Sequence, residues 1–406
     1  MRQIKPKINQ YVIVSLFAAV VILLSAAACD SVVYPEPTES YSVVGGFELT
    51  ATVDEPGPHS IGLAEHDYWY PYSMDIDQSG NLLVTNIRGA FLERFELHED
   101  GGAEWTAYWA WGRGREEHCY PLFVTNYGPD PDIVVVSEAY SLDTGGQFPE
   151  GASAYYLLLP EPELPVSPWR PGWNYIYTSE PPFKHGYQEW ENPVLQQYSN
   201  MYQPGDVTTE PVPGTMIVVS DTSSGMLRLF NSLGTLLAEG GGMGDQEGVF
   251  RLPLGIDYGP DQMLAVADTW NHRVQLFEII DTPTDEDHPD YVPGYDKQKL
   301  FAYRRTIGAF GAHNGELSAP YSVCFDTTGN VYVADTRNAR VQKYDGEGNL
   351  LAVIYGEGEW RLRMPLDVAV DDNGDLLVLD AFIWYEPWER DFEPDEGARI
   401  IRFRRN

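Results

Sequence analysis

The chain has 406 residues, with 61 acidic against 26 basic side chains and a formal net charge of −35. Hydrophobic residues at 43% and aromatics at 13% supply a sizeable core, which excludes an intrinsically disordered chain. The charge repels phosphate and sets nucleic-acid binding aside, and three cysteines are too few for a disulfide scaffold.

The N-terminus reads MRQIKPKINQ, with Arg2, Lys5 and Lys7 and no acid, followed by the apolar run YVIVSLFAAVVILLS and by Ala26-Ala27-Ala28 before Cys29. This charged, apolar, small-residue order is that of a secretory signal. LSAAAC resembles a bacterial lipoprotein box, although Ala26 departs from the usual leucine at its position. The resemblance implies cleavage before Cys29 and lipidation of that cysteine. Asp30 resembles the inner-membrane retention choice of enterobacterial lipoproteins. The alternative is an uncleaved anchor, for which Tyr11–Ala28 is marginally long. Loss of residues 1–28, with three cations and no acid, takes the charge to −38. Residues 29–40 read as a polar tether and residues 41–406 as one domain.

That domain is a repeat array. Its units, in chain order, are YPYSMDIDQSGNLLVTNIRGAFLERF (70–95), YPLFVTNYGPDPDIVVVSEAY (120–140), YQPGDVTTEPVPGTMIVVSDTSSGMLRLF (202–230), LPLGIDYGPDQMLAVADTWNHRVQLF (252–277), APYSVCFDTTGNVYVADTRNARVQKY (319–344), and MPLDVAVDDNGDLLVLDAF (364–382) completed by ARIIRF (398–403). In each, proline opens an alternating strand and an Asp, Gly or Asn turn reverses it. A β-branched second strand then ends near Asp or Asn, and a third strand follows. Four short strands per unit make one propeller blade, which is stable only between neighbours. VADTWNHRVQLF and VADTRNARVQKY resemble the defining strand pair of the NHL-repeat family. The resemblance spans residues 41–406 and implies an all-β, six-bladed β-propeller. The last unit stops at its third strand, and YSVVGGFELTATV is expected to supply the fourth and close the ring. Asp268 and Asp335 are expected to tie down the turn before the third strand, with Arg273 and Arg340 paired to them or to a carbonyl. His272 reads as a blade residue. Cys119 and Cys324 read as inert small hydrophobes, Cys324 in an innermost strand.

Six blades of about 45 residues use about 270, so much of the remainder is insertion. Inserts at Tyr140–Ala154, Glu180–Gln203 and Phe382–Gly397 belong to one face, that of the loops joining second to third strands and blade to blade. They are rich in aromatics. Tyr140, Tyr187, Trp190, Tyr202, Trp384, Tyr385 and Trp388 are candidates to stack on sugar rings or grip a peptide; the competing reading is that they bury one another. Two residues beyond the opening proline, Asp206 and Asp367 are expected near the central channel, where they could share a cation such as calcium or simply line an acidic channel. The acidic insert Asp281–Asp290 lacks the glycine turn and terminal glutamate of an EF-hand and reads as a solvated loop on the opposite face. His66, His118 and His185 stand at junctions on the insert-bearing face and could form a zinc site. Peptidyl-α-hydroxyglycine lyases, similar propellers, hold zinc with histidines from different blades, but their local motifs do not recur here.

The expected function is a membrane-tethered, extracytoplasmic scaffold that binds a protein or carbohydrate on the insert-bearing face. It would be attached to a bacterial membrane through lipidated Cys29, with no nucleic-acid partner and more as a binder than an enzyme. The alternative is a metal-dependent lyase or hydrolase, lyase-like or lactonase-like, at the central channel. After the signal only four lysines remain, Lys184, Lys297, Lys299 and Lys343. Such an acidic, lysine-poor surface suits a saline environment.

Overall fold

The computed structural model describes residues 34–49, 71–86, 91–110, 117–126, 133–142, 151–158, 204–211, 216–222, 224–231, 235–381 and 398–406. Every strand lies in the unit Glu36–Asn406. Residues 1–28 and Cys29, the signal and lipidation site expected from sequence, are outside the described residues.

Among the described residues twenty-three strands form antiparallel sheets, and five of these sheets are complete four-stranded blades. The first blade holds β2 (Pro71–Ile76), β3 (Leu82–Asn86), β4 (Phe91–Leu97) and β5 (Ala103–Ala110). Strands β6 (Glu117–Asn126), β7 (Ile133–Leu142) and β8 (Gly151–Leu158) make a sheet of three. Strands β9 (Pro204–Thr209), β10 (Met216–Asp221), β11 (Met226–Asn231) and β12 (Leu236–Gly241) make the next blade. The blade after it comprises β13 (Pro253–Tyr258), β14 (Met263–Asp268), β15 (Arg273–Asp281) and β16 (Lys299–Ile307). It is followed by β17 (Val323–Phe325), β18 (Val331–Asp335), β19 (Arg340–Tyr344) and β20 (Leu350–Ile354). The last blade joins β21 (Pro365–Val370), β22 (Leu376–Asp380) and β23 (Ala398–Arg405) to β1 (Tyr41–Leu49). The innermost strands neighbour one another in the order β2, β6, β9, β13, β17, β21, with β21 back against β2.

The expected closure is present. β1 runs antiparallel to β23 from Tyr41 opposite Arg405 to Leu49 opposite Ala398. The first and last strands thus complete one sheet and cover an edge that would otherwise be open. The insert expected at Tyr140–Ala154 is shorter than that reading, because β7 continues to Leu142 and β8 begins at Gly151.

The core sits between adjacent sheets. Val218, Leu229, Ile256, Leu264, Phe277 and Phe301 fill one interval, and Ala334, Val341, Val368, Val378, Ile401 and Phe403 fill another. These are the period-two positions of the strands, which explains why each unit needs its neighbours.

The D-T-x-N-x-R-V-Q motif is a compact turn lock. The carboxylate of Asp268 accepts from the backbone N–H of Arg251 (2.7 Å), Asn271 Nδ2, Arg273 Nε (2.8 Å) and Gln275 Nε2. Asp335 repeats this with Ser318 N–H, Asn338, Arg340 and Gln342. The hydroxyls of Thr269 and Thr336 each donate 2.8 Å to a carbonyl of the following blade, Pro320 and Pro365. His272 closes the turn in the left-handed region at φ 56°, and its Nδ1 accepts from Ala319 N–H at 3.0 Å. It is a blade residue, as expected.

On the opposite face a second device recurs. The carboxylates of Asp77, Asp326, Asp345 and Asp371 each accept the backbone N–H four residues on, at 2.7–3.0 Å, fixing the hairpin turns. The acidic insert of Asp281–Asp290 is on this face, as expected, but it is a strap rather than a free loop. Arg304 pairs with both oxygens of Asp290 and with Glu278, and the Tyr295 hydroxyl donates to Glu239 O on β12.

Candidate functional site

The innermost strands bring carboxylates to the axis. Residues two apart on a strand share a side, so two layers follow from the sheet registers. One contains Ser73, Asp206, Gly255, Ser322 and Asp367, and the other contains Asp75, Thr208, Asp257, Cys324 and Ala369. Asp206 and Asp367, expected at the channel from their place after proline, are both there and both buried.

A single hydrogen-bonding rule links these residues around the axis. Four axial oxygens, of Asp206, Asp367, Asp257 and Thr208, each accept the backbone N–H that follows the same-layer residue of the next blade. Asp206 Oδ2 accepts Ile256 N–H at 2.9 Å and Asp367 Oδ2 accepts Met74 N–H at 2.7 Å. One layer on, Asp257 Oδ2 accepts Phe325 N–H at 2.7 Å and Thr208 Oγ1 accepts Tyr258 N–H at 3.0 Å. The second oxygens are also engaged: Asp206 Oδ1 with Val207 N–H, Asp367 Oδ1 with Val368 N–H and the Ser322 hydroxyl, and Asp257 Oδ1 with the Thr208 hydroxyl. Gly255 belongs to this layer because a Cβ there would stand 2.5 Å from Ser322 Cα.

Burial raises all three carboxyl pKa values. Asp257 and Asp367 are pushed up to about 6 by desolvation, against the opposing pull of their hydrogen bonds. Desolvation and then the charge of Asp367 push Asp206 well above the carboxylate range. Burial, with Tyr321, Asp206 and Asp367 nearby, also raises the Tyr72 phenol. The centre is therefore a connected polar lining in which carboxylates hold neighbouring blades together. Among the described residues no three His, Cys, Asp or Glu side chains come together as a ligand set for a metal ion. The oxygens of Asp206 and Asp367 are already committed to backbone donors, which fits a cation poorly.

Asp257 was not anticipated from sequence. It is the fourth residue after Pro253, two beyond Gly255, and so falls in the layer of Asp75, Thr208, Cys324 and Ala369. Counting by two from Gly255 would have found it. The repeated Pro-Tyr of Pro71-Tyr72 and Pro320-Tyr321 was a further visible sign of the axial lining.

On the insert-bearing face, Met243, Trp270, Phe310 and Tyr355 are exposed, Phe310 by 70% and Met243 by 61%. Met243, Phe310 and Tyr355 lie in blade-to-blade loops and Trp270 in a loop joining second to third strands. The Phe310 ring packs on His272 with centroids 4.6 Å apart. Val292, the other large exposed hydrophobic among the described residues, lies on the opposite face.

Of the aromatic candidates, Tyr140 is on β7 with its backbone opposite Cys119, and its side chain is outside the described residues. Tyr187, Trp190, Tyr202, Trp384, Tyr385 and Trp388 fall outside them entirely, as do His66 and His185. His118 is within β6 with its backbone opposite Ser141, not in a junction; the strand begins one residue earlier, at Glu117. Cys324 is a buried free thiol in β17, as expected.

These sheets, arranged around a carboxylate-lined axis, define an all-β propeller. Residues 250–277 and 317–344 match the family model described as NHL repeat. It is 45% identical to Protein lin-41 of Caenorhabditis elegans over 47 residues, which is 12% of this chain and 4% of that protein. It is 34% identical to the Homo sapiens NHL-repeat-containing protein 4 over 79 residues, 19% of this chain and 61% of that one. The matches therefore span less than two thirds of either relative. Among solved structures, the PQQ-bound aldose sugar dehydrogenase of Streptomyces coelicolor is similar at 12% identity. That similarity has a TM-score of 0.50 and covers 92% of this chain and 100% of that one. At this identity the likeness concerns the fold.

Proposed function

We propose that the protein is a six-bladed NHL propeller, with the β6–β8 sheet as its remaining blade. In this reading it is an exported scaffold, anchored to a bacterial membrane at Cys29, that binds a protein or carbohydrate on the insert-bearing face. The observation that carries this reading is the segregation of Met243, Trp270, Phe310 and Tyr355 to that one face. Exposed aromatics on a rigid scaffold, flanked by polar side chains, are the usual anchors of an interface. The axial carboxylates support the same view, because they act as blade-to-blade staples. A triple variant, Met243→Ser with Trp270→Ala and Phe310→Ser, tests it against a glycan array and a set of envelope proteins. Loss of binding by tenfold or more at unchanged melting temperature supports the scaffold. Binding equal to the parent chain rejects this face.

A second reading, a metal-dependent hydrolase or lyase at the channel, draws on the gathering of Asp206, Asp257 and Asp367 with raised pKa values. It requires donors beyond the described residues, such as His66 and His185. Metal content after dialysis separates the two readings: stoichiometric zinc or calcium favours the enzyme.

A further inference from the structure

Among the described residues the two ends of the propeller differ in charge, and β1 enters from only one of them. β23 begins at Ala398, on the insert-bearing face, and ends at Arg405 on the face of the hairpin turns. Since β1 is antiparallel to it, Tyr41 lies at the turn face and Leu49 at the insert face. Residues 36–40 are fixed at that turn-face rim. The N–H groups of Thr38 and Glu39 both donate to Leu351 O at 2.8 Å, just past the β19–β20 turn, and Asn406 N–H donates to Ser40 O. The Glu39 carboxylate lies between Lys343 Nζ at 3.0 Å and Arg405 Nη2 at 3.1 Å. Lys343 is buried at this point, with its ammonium over the rings of Tyr41 and Tyr332.

The turn face is acidic. Glu99, Asp100, Asp261, Asp285, Glu347 and Asp372 are exposed there, while the nearby cations Arg404 and Arg405 are engaged by Asp375 and Glu39. Among the described residues the insert-bearing face mixes its charges: Arg251, Arg337, Arg361 and Arg363 stand among Asp245, Glu247, Glu357 and Glu359.

We propose that the turn face is the membrane-proximal face, held off an anionic lipid surface by its own charge, and that the insert-bearing face is presented away from the membrane. This rests on anchoring at or before Cys29, and it holds for a lipidated and an uncleaved anchor alike. Seven residue steps separate Cys29 from Glu36, a reach of at most about 25 Å. To bring the insert face to the lipid the tether would also have to run the length of β1, roughly 30 Å for nine residues. Repulsion between the acidic face and anionic lipid acts over about 10 Å at 0.1 M salt and about 30 Å at 0.01 M. The stand-off therefore uses the slack in the tether.

The test uses the full chain, exported in a bacterial host, extracted in detergent and reconstituted in vesicles containing 30% phosphatidylglycerol by design. A dye is carried on a genetically encoded azide residue in place of Glu347 or of Arg337, at opposite ends of β19 on one blade. Nitroxide headgroup lipids are expected to quench the Glu347 dye at least twofold more than the Arg337 dye. Quenching at Glu347 should weaken when salt is lowered. Equal quenching, or stronger quenching at Arg337, overturns the orientation while leaving anchoring intact. Mass spectrometry of the N-terminal peptide and flotation with the vesicles report anchoring separately. A chain with no lipid on Cys29 that does not float overturns the anchoring reading, and this orientation with it.

Discussion

The backbone N–H of Met74 donates to Oδ2 of Asp367 across 2.7 Å, joining residues 293 positions apart in the chain. The bond crosses the seam between the last blade and the first, joining innermost strands β21 and β2 from the two ends of the domain. Replacing Asp367 by Ala leaves the N–H groups of Met74 and Val368 without their acceptors, at a cost of about 3 kcal/mol. Asp367→Asn keeps one carbonyl oxygen and should cost about 1 kcal/mol. Urea unfolding of the two variants checks the order; an Ala variant as stable as the parent would show that the seam is held elsewhere.

The same carboxylates make stability depend on pH. Asp257 and Asp367 have folded pKa values of about 6, above the unfolded value of about 3.9. A raised folded pKa gives a contribution fully present below the unfolded pKa and lost as pH rises through the folded one. Carboxylates paired with arginine, such as Asp375 with Arg402 and Arg404, have lowered values and act in the opposite sense. The comparison that isolates the axial pair is therefore parent against Asp257→Asn with Asp367→Asn. The stability difference, parent minus variant, should shrink between pH 4 and pH 7. A difference independent of pH would mean that neither carboxyl titrates in that window.

The two equivalent arginines should not be equally costly to remove. Arg340 is 1% exposed and bonds Asp335, itself 0% exposed, whereas the Arg273 side chain is 13% exposed. Arg340→Met leaves a buried carboxylate without its cation, which costs about 3–5 kcal/mol. Arg273→Met should cost less, because water reaches the pair. Denaturant midpoints for both variants check the ranking, and the reverse order would contradict the burial argument.

Removal of β1 should change the state of association. A chain starting at residue 50 exposes the outer edge of β23, with its N–H and C=O groups free to pair with another copy. Size-exclusion chromatography with light scattering is expected to show dimers or larger species where the parent is monodisperse. A well-behaved monomer would mean that the edge is protected by another segment.

Much of the propeller was readable because its motif residues bond to one another. Asp268, Asn271, Arg273 and Gln275 form one lock, so their spacing in sequence is their geometry in space. Asp206 and Asp367 were placed by counting two residues from proline, and the count held although β9 and β21 each carry a register shift just after that proline. It stopped short of Asp257, which stands four residues after Pro253, one layer further along the strand than the position counted. The exposed face was harder still. Phe250 and Phe310 both sit in glycine-rich blade junctions, yet Phe250 is 0% exposed and Phe310 70%. Phe250 packs on Phe277 and Phe310 on His272 at the surface, a difference set by neighbouring blades.

Pairing of β1 with β23 also has a consequence in time. Residues 41–49 are synthesised well before residues 398–405, so the closing sheet cannot form until β23 has been made. A product truncated before Ala398 has two unsatisfied edges, those of β1 and β22, at opposite ends of its sequence. The fold thus carries its own check on domain integrity: only a chain that has reached β23 can pair β1 and cover the outer edge of β22.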